Sequence, residues 1–289
     1  MKIALICYKK QEKYSTGAPD EDQDLLKFLL DKGLNIDYVI WNDPLVDWTK
    51  YGTAVLKSPW DYHEQFEAFN AWLDKLEALK IKLLNPYSII RQNSDKHYLD
   101  EITASGLKVI PSLFLERNSK AVLNDFFKTF NTPTLIIKPC VSASAKNTMV
   151  VNPDNVSERQ AQLNAFLNEE SFMVQPFVNE IVQGELSFIF FGGIYSHAVI
   201  KLPKAGDFRV QHFHGGTIRK YEPGAQQIAE AQKYVDGFAA GCLYARVDGL
   251  LIEGSFQLME LELIEPYLFL NTHDGAYESY YNAMLRLMQ

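Results

Sequence analysis

Over its first 92 residues the chain alternates short apolar runs with amphipathic stretches, and this alternation restricts the fold more than any other feature. KIALICY, NIDYVIW, TAVLKSP and IKLLNP each have the length and apolar content of a buried strand. Between the first two lies DEDQDLLKFLLDKG, closed by Gly33. Between the last two lies HEQFEAFNAWLDKLEALK, where Phe66, Phe69, Leu73 and Leu76 recur at helical spacing. Strands joined through helices pair in parallel, so residues 1–92 are expected to form an α/β, Rossmann-like domain. Parallel sheets bind ligands beyond the ends of their strands. SPWDYHEQ follows the third strand and puts Trp60, Asp61 and Tyr62 there, either as walls of a substrate site or as a packed turn capping the next helix.

The pattern then changes. RQNSDKHYLDEITASG reads as a helix capped by Asn93 or Ser94 and ended by Gly106. After it come LKVIPSLFLE, TLIIKP, TMVV and FMVQPF as strands, with AVLNDFFKTF and VSERQAQLNAFLNEE as helices, an α+β unit over 93–175. From 176 to 289 strand pairs dominate. GELSFIFFGGIYSHAVIKL carries a Gly192-Gly193 turn between two apolar runs, and RVDGLLI with QLMELEL forms a second hairpin across EGSF. GTIRKYEP extends the sheet and GAQQIAEAQKYVDGFAAGCL is a long helix.

LMELELIEP poses the functional question. Alternation along a strand puts Glu260 and Glu262 on one face and Leu261 and Leu263 on the other, so two carboxylates repel each other side by side. The second hairpin brings Asp248 toward them. Three oxygen ligands on a rigid hairpin suit a hard divalent ion, although a solvated face bearing salt bridges has the same pattern. Lys138 ends TLIIKP and opens the loop CVSASAKNT, which includes Ser142; an ammonium and a loop of small residues can hold phosphate, while an exposed strand-end lysine is the plainer reading. In GDFRVQHFHGG, Arg209 can fork two donors onto a phosphate or carboxylate, and His212 or His214 can act as base or donor, or simply pack.

The formal net charge of −8 argues against broad nucleic-acid binding, which needs a basic surface. No apolar run reaches transmembrane length, and MKIALICYKK reads as a strand rather than a secretion signal. Cys7, Cys140 and Cys242 are odd in number and show no metal spacing, which points to buried thiols in a reducing, cytoplasmic setting.

In order, NSDKHYL, LIIKP, MVQPFV, GELS, GDFRVQ, RVDG and MELEL resemble the ATP-grasp ligases along nearly the whole chain. GDFRVQHFHGG is similar to the loop of glutathione synthetases and ribosomal-protein glutamate ligases. SPWDY, LLNP and NSDKHYLDEI are closer to the cyclo-ligases that form cycloserine from O-ureidoserine. The resemblance implies a two-subdomain ATP-grasp fold after the Rossmann-like domain, with a lid subdomain over 93–175 and a metal-bearing subdomain over 176–289. It implies ATP and Mg²⁺, with Mn²⁺ as the alternative ion, and a small amino-acid-like or peptide substrate whose carboxylate is attacked by an amine-type nucleophile, of the same molecule or of another; a homodimer stays open. Lys96, Lys138 and Ser142 would contact the ATP phosphates. Gln175, Pro176, Phe177 and Val178 would form the adenine hinge, and Glu180 or Glu185 would hold the ribose. Arg209 would face the transferred phosphoryl group, Asp248, Glu260 and Glu262 would bind the metal, and Trp60, Asp61, Tyr62 and His214 would meet the substrate. The chain departs from the family at VSASAKN, where a glycine-rich lid is usual, and at Glu262, where many members carry asparagine. That substitution leaves open whether Glu265 is a further ligand or a substrate residue.

Overall fold

A computed structural model of the chain describes residues 2–9, 20–143, 146–204 and 215–289. Three sheets follow one another along the sequence. The first contains β1 (Ile3–Cys7), β2 (Ile36–Ile40), β3 (Thr53–Ser58) and β4 (Lys82–Leu83) in the order β2-β1-β3-β4, and every pairing is parallel. Helices α1 (Glu21–Asp31) and α2 (Phe66–Ala78) make the crossovers. Beyond α1, Gly33 takes φ +82°, a left-handed conformation that ends the helix where the sequence predicts it. Phe69, Trp72, Leu73 and Leu76 bury one stripe of α2 against Ile6, Leu56 and Trp41.

One expectation fails between the first two sheets. The chain is already helical at α3 (Tyr87–Asn93) and restarts at α4 (Tyr98–Ala104), so neither Asn93 nor Ser94 caps a helix N-terminus. Ser94 instead donates to the Arg91 carbonyl, while the Asn93 amide donates to Leu261 O and accepts from Leu263 N–H. Asn93 therefore ties this connection to the strand that carries Glu260 and Glu262.

The second sheet has the order β5-β8-β6-β7, from β5 (Leu113–Leu115), β6 (Leu135–Pro139), β7 (Met149–Val151) and β8 (Phe172–Pro176). Helices α5 (Leu123–Thr129) and α6 (Val156–Phe166) cover it with Leu123 and Leu163, which pack on Leu135, Ile137 and Val174. The third sheet is antiparallel and larger, ordered β11-β10-β9-β12-β13: β9 (Glu185–Phe191), β10 (Ile194–Leu202), β11 (Thr217–Tyr221), β12 (Tyr244–Ile252) and β13 (Ser255–Glu262). Helices α7 (Ala225–Phe238) and α8 (Ala276–Met288) pack on it. Both predicted hairpins form. Their turns, Gly192-Gly193 (φ +56° and +79°) and Glu253-Gly254 (φ +51° and +76°), put two residues in succession at positive φ, the twist that tight hairpins favour. No helix among the described residues is long and apolar enough to cross a membrane.

Candidate active site

The second hairpin sets the geometry. In the β12–β13 register, Asp248 lies opposite Glu260 and Arg246 opposite Glu262, and a bulge follows because Gly249 pairs with Leu258. A Cβ at Gly249 would lie 2.2 Å from the Gln257 carbonyl oxygen, so this bend requires glycine. The three acids thus share the face that the alternation predicts, and Leu261 is buried on the other.

The positive charge that the glutamates call for comes from four side chains. Arg246, 7% exposed, donates from Nε and Nη2 to the Asp248 carboxylate at 2.8–3.1 Å, from Nη2 to Glu262, and from Nη1 to Tyr267 O at 2.9 Å. Lys201 on β10 bridges Glu185 and Asp248, the latter at 3.0 Å. Lys96 stands 3.5 Å from Glu260 and donates to the Ser142 carbonyl (2.9 Å) and hydroxyl (3.2 Å). Lys138, on β6, acts electrostatically on the same glutamate. Burial lowers the Lys138 ammonium, Glu260 opposes the shift and Lys96 adds to it.

These fields separate the acids. Burial would raise the Asp248 carboxyl, but Arg246 and Lys201 outweigh it and hold it well below the usual carboxylate range. Burial also opposes ionisation of Glu260, which Lys96 and Lys138 overcome. For Glu262 burial wins: its carboxyl is pushed up to about 7, with repulsion from Asp248 and Glu260 set against the attraction of Arg246. A second cation would relieve that repulsion. Asp248 Oδ1 accepts from Arg246 Nε and, as a carboxylate oxygen, keeps a further lone pair, and the Glu260 and Glu262 side chains remain 34% and 24% exposed, so all three can still offer oxygen to a hard ion. The donor set fits magnesium.

At the hinge, β8 ends at Pro176. The Phe177 N–H is donated to Thr134 O, and the Val178 carbonyl accepts from Ile181. Among the described residues no backbone bond occupies the Val178 N–H, leaving a donor at the hinge. Phe177 and Val178 line an apolar cluster with Ile110, Ile181 and Leu250. The Gln175 side chain donates to Ser112 at 2.9 Å. Glu185 is ion-paired with Lys201, which leaves Glu180, on the turn after the hinge, as the freer of the two ribose candidates.

On the side of the first sheet, the Asp61 expectation needs correction. This residue is 1% exposed, and its oxygens accept from Trp41 Nε1 (2.7 Å) and Asn42 Nδ2 (3.3 Å). It caps no helix through its side chain and is turned into the protein, because the buried Trp41 indole needs an acceptor. Tyr62 belongs to the core with Phe69, yet its phenol is close enough to the acids that Glu265 is the main charge acting on it, after burial has already raised it. Trp60 donates its indole N–H to the Glu265 carbonyl at 3.0 Å. Arg209, His212 and His214 lie outside the described residues. Sequence reasoning missed Arg246 and Lys201. The alternation that pairs Glu260 with Glu262 also puts Arg246 on the face of Asp248, two residues away.

Comparison with known proteins agrees with this geometry. Residues 3–85 match the family described as the N-terminal domain of D-cycloserine synthetase DcsG. Residues 101–254 match the ATP-grasp domain of prokaryotic glutathione synthetase, 154 of the 289 residues. The cycloserine biosynthesis protein DcsG of Streptomyces lavendulae is 28% identical over 260 residues, covering 84% of this chain and 86% of that protein. The crystal structure of D-cycloserine synthetase DcsG superposes with a TM-score of 0.85 at 24% identity, over 99% of this chain and 100% of the other. D-alanine–D-alanine ligase from Bacillus anthracis, complexed with ATP, superposes with a TM-score of 0.75 at 14% identity, over 99% and 97% of the two chains. The chain belongs to the ATP-grasp family of the prokaryotic glutathione synthetases, and it is an ATP-dependent carboxylate–amine ligase.

Proposed function

We propose that the chain activates the carboxylate of a small amino-acid-like or peptide substrate and joins it to an amine-type nitrogen, with Mg²⁺ held by Asp248, Glu260 and Glu262. The observation that carries this reading is the convergence of Lys96, Lys138 and the three acids between the second and third sheets. In this reading residues 1–92 supply part of the substrate site, 93–175 the lid and 176–289 the metal.

A carboxylate is a poor electrophile because oxide would have to leave. Its oxygen therefore takes the γ-phosphoryl group of ATP: one P–O bond forms, the bond to the bridging β-γ oxygen breaks, and ADP departs. The nitrogen lone pair then attacks the acyl carbon, inorganic phosphate leaves, and the nitrogen loses a proton. When bound, Mg²⁺ supplies positive charge to the phosphate oxygens. Lys138 and Ser142 hold phosphate from the second sheet and Lys96 from the connection before it; Arg209 complements the transferred group, and His214 meets the substrate. The Val178 N–H and neighbouring hinge backbone read adenine, and Glu180 holds the ribose. Fixed charges and positioning of this kind carry most of the catalysis of phosphoryl transfer.

The relatives named for cycloserine synthesis support an amino-acid-derived substrate. The experiment is an ADP-release screen over amino acids, dipeptides, and ureido and hydroxy amino acids, with mass analysis of every hit. An amide or ring with stoichiometric ADP and phosphate is expected. A phosphorylated product that accumulates would replace ligation with simple phosphotransfer.

A further inference from the structure

The segment after β13 is held in an unusual way. Its six successive carbonyls, from Leu263 to Leu268, each accept a hydrogen bond from a different side chain. Asn85 reaches Leu263 O (2.8 Å), the Tyr244 hydroxyl Ile264 O (2.8 Å), and the Trp60 indole Glu265 O (3.0 Å). Lys57 reaches Pro266 O (3.4 Å), Arg246 Tyr267 O (2.9 Å), and His197 Leu268 O (2.9 Å). From below, the Glu21 carboxylate accepts from the N–H groups of Leu268 (2.7 Å) and Leu270 (2.9 Å). The donors come from the first sheet, from its connection to the second, and from the third. The loop backbone is therefore fixed at the seam where the substrate end of the parallel sheet meets the acid-bearing strand.

Within this clamp, one acidic side chain has no partner among the described residues. No hydrogen bond or ion pair among the described residues reaches the Glu265 carboxylate, although the residue is only partly exposed. The neighbouring acids all have cations: Asp248 and Glu262 have Arg246, Glu185 has Lys201, and Glu260 faces Lys96. An unpaired carboxylate away from bulk water is unfavourable unless a cation arrives. Aromatic groups border the same place, with Trp60 on the Glu265 carbonyl, Tyr8 at 5.0 Å from the Trp60 ring, and the Tyr62 phenol within the field of Glu265. A carboxylate recognises ammonium through charge-assisted hydrogen bonds.

We propose that Glu265 anchors a cationic nitrogen of the substrate, so that the rigid Leu263–Leu268 loop selects for an ammonium-bearing compound. This inference rests on the ligase reading. Glu265 lies past the end of β13, on backbone tied to Trp60 of the first sheet. That placement suits a substrate group entering from the N-terminal sheet better than a fourth metal carboxylate. Burial, and after it repulsion by Glu262 and Glu260, raises the Glu265 carboxyl well above its ordinary value, which favours the neutral form until a cation is bound.

The test compares each amino compound of the screen with its N-acetyl counterpart, using thermal shift of the full chain in the presence of Mg²⁺ and AMPPNP. Wild type should be stabilised by at least one amino compound and not by its acetylated form. Glu265→Gln should lose that difference, with affinity for the amino compound falling about 10- to 150-fold and that for AMPPNP unchanged. Glu265→Asp keeps the charge on a shorter arm and should retain part of the discrimination, even if the glutamine variant is less stable. The proposal is overturned if no amino compound outperforms its acetylated form on wild type, or if Glu265→Gln binds both as wild type does. It is also overturned if that variant changes the Mg²⁺ requirement alone, since Glu265 would then be a metal ligand. Failure of the ligase reading has a different signature: ADP release without any amide or ring.

Discussion

Replacing Arg246 with methionine removes the cation that the hairpin places between two acids. The guanidinium makes three contacts to Asp248 at 2.8–3.1 Å, one to Glu262, and one to Tyr267 O at 2.9 Å. Among the described residues Asp248 would keep one ion pair, with Lys201, which it shares with Glu185. Glu262 would lose its only ion pair among the described residues. Removing one partner of a buried pair costs about 3–5 kcal/mol. For a chain of this size that lowers the melting temperature by roughly 10 °C. Because the same acids are proposed to bind Mg²⁺, the ion should replace part of the missing charge. Melting curves of wild type and Arg246→Met, with and without Mg²⁺–AMPPNP, give the assay. The variant should gain more from Mg²⁺ than wild type does. A variant that melts within about 2 °C of wild type without the ion would show that repulsion within the acid cluster is small. Equal stabilisation of both proteins by Mg²⁺ would show that the ion binds elsewhere.

Glu260→Gln should reduce turnover roughly 100-fold or more while leaving the fold intact, because it removes a ligand and with it several kcal/mol of transition-state stabilisation; near-normal rates at limiting Mg²⁺ would remove Glu260 from the metal site. Asp61→Ala should lower stability by about 1–3 kcal/mol, since the Trp41 indole N–H loses its buried acceptor, with no change in substrate KM; a KM effect without a stability loss would restore the substrate role. His197 is buried and donates to Leu268 O, and burial lowers its pKa to about 4. A depressed histidine adds stability that is complete above its unfolded pKa and is lost as pH falls from about 6.5 to about 4, roughly 3 kcal/mol in all. In denaturant titrations across that window wild type should lose roughly 3 kcal/mol more than His197→Gln as pH falls, and parallel curves would refute the assignment.

The elements were legible where one local signal was enough. Period-two and period-3.6 patterns located the parallel sheet and α2, and Gly192-Gly193 located a hairpin whose turn needs positive φ at both positions. The α3 helix was missed because Asn93 and Ser94 look like caps but serve other partners, one of them the backbone beside Glu260 and Glu262. The three acids were legible because they occupy one hairpin. Arg246 was within reach of the same alternation argument, whereas Lys201 was not, since its meeting with Asp248 depends on β9 lying between β10 and β12. Asp61 misled for a related reason. Its position after β3 suggests a ligand site, and only the fold brings Trp41 close enough to claim it. The isolation of Glu265 appears only when the cations of the neighbouring acids have been assigned.

The central claim, that a substrate carboxylate is activated by phosphorylation before nitrogen attack, has one direct test. A panel compound that releases ADP is prepared with oxygen-18 in its carboxylate, and the phosphate formed in a single turnover with Mg²⁺–ATP is analysed by mass. Attack of the carboxylate on the γ-phosphoryl group followed by C–N bond formation predicts one oxygen-18 atom in each phosphate released, together with an amide or ring. Unlabelled phosphate alongside the amide, or label retained in a phosphorylated product, would contradict the account.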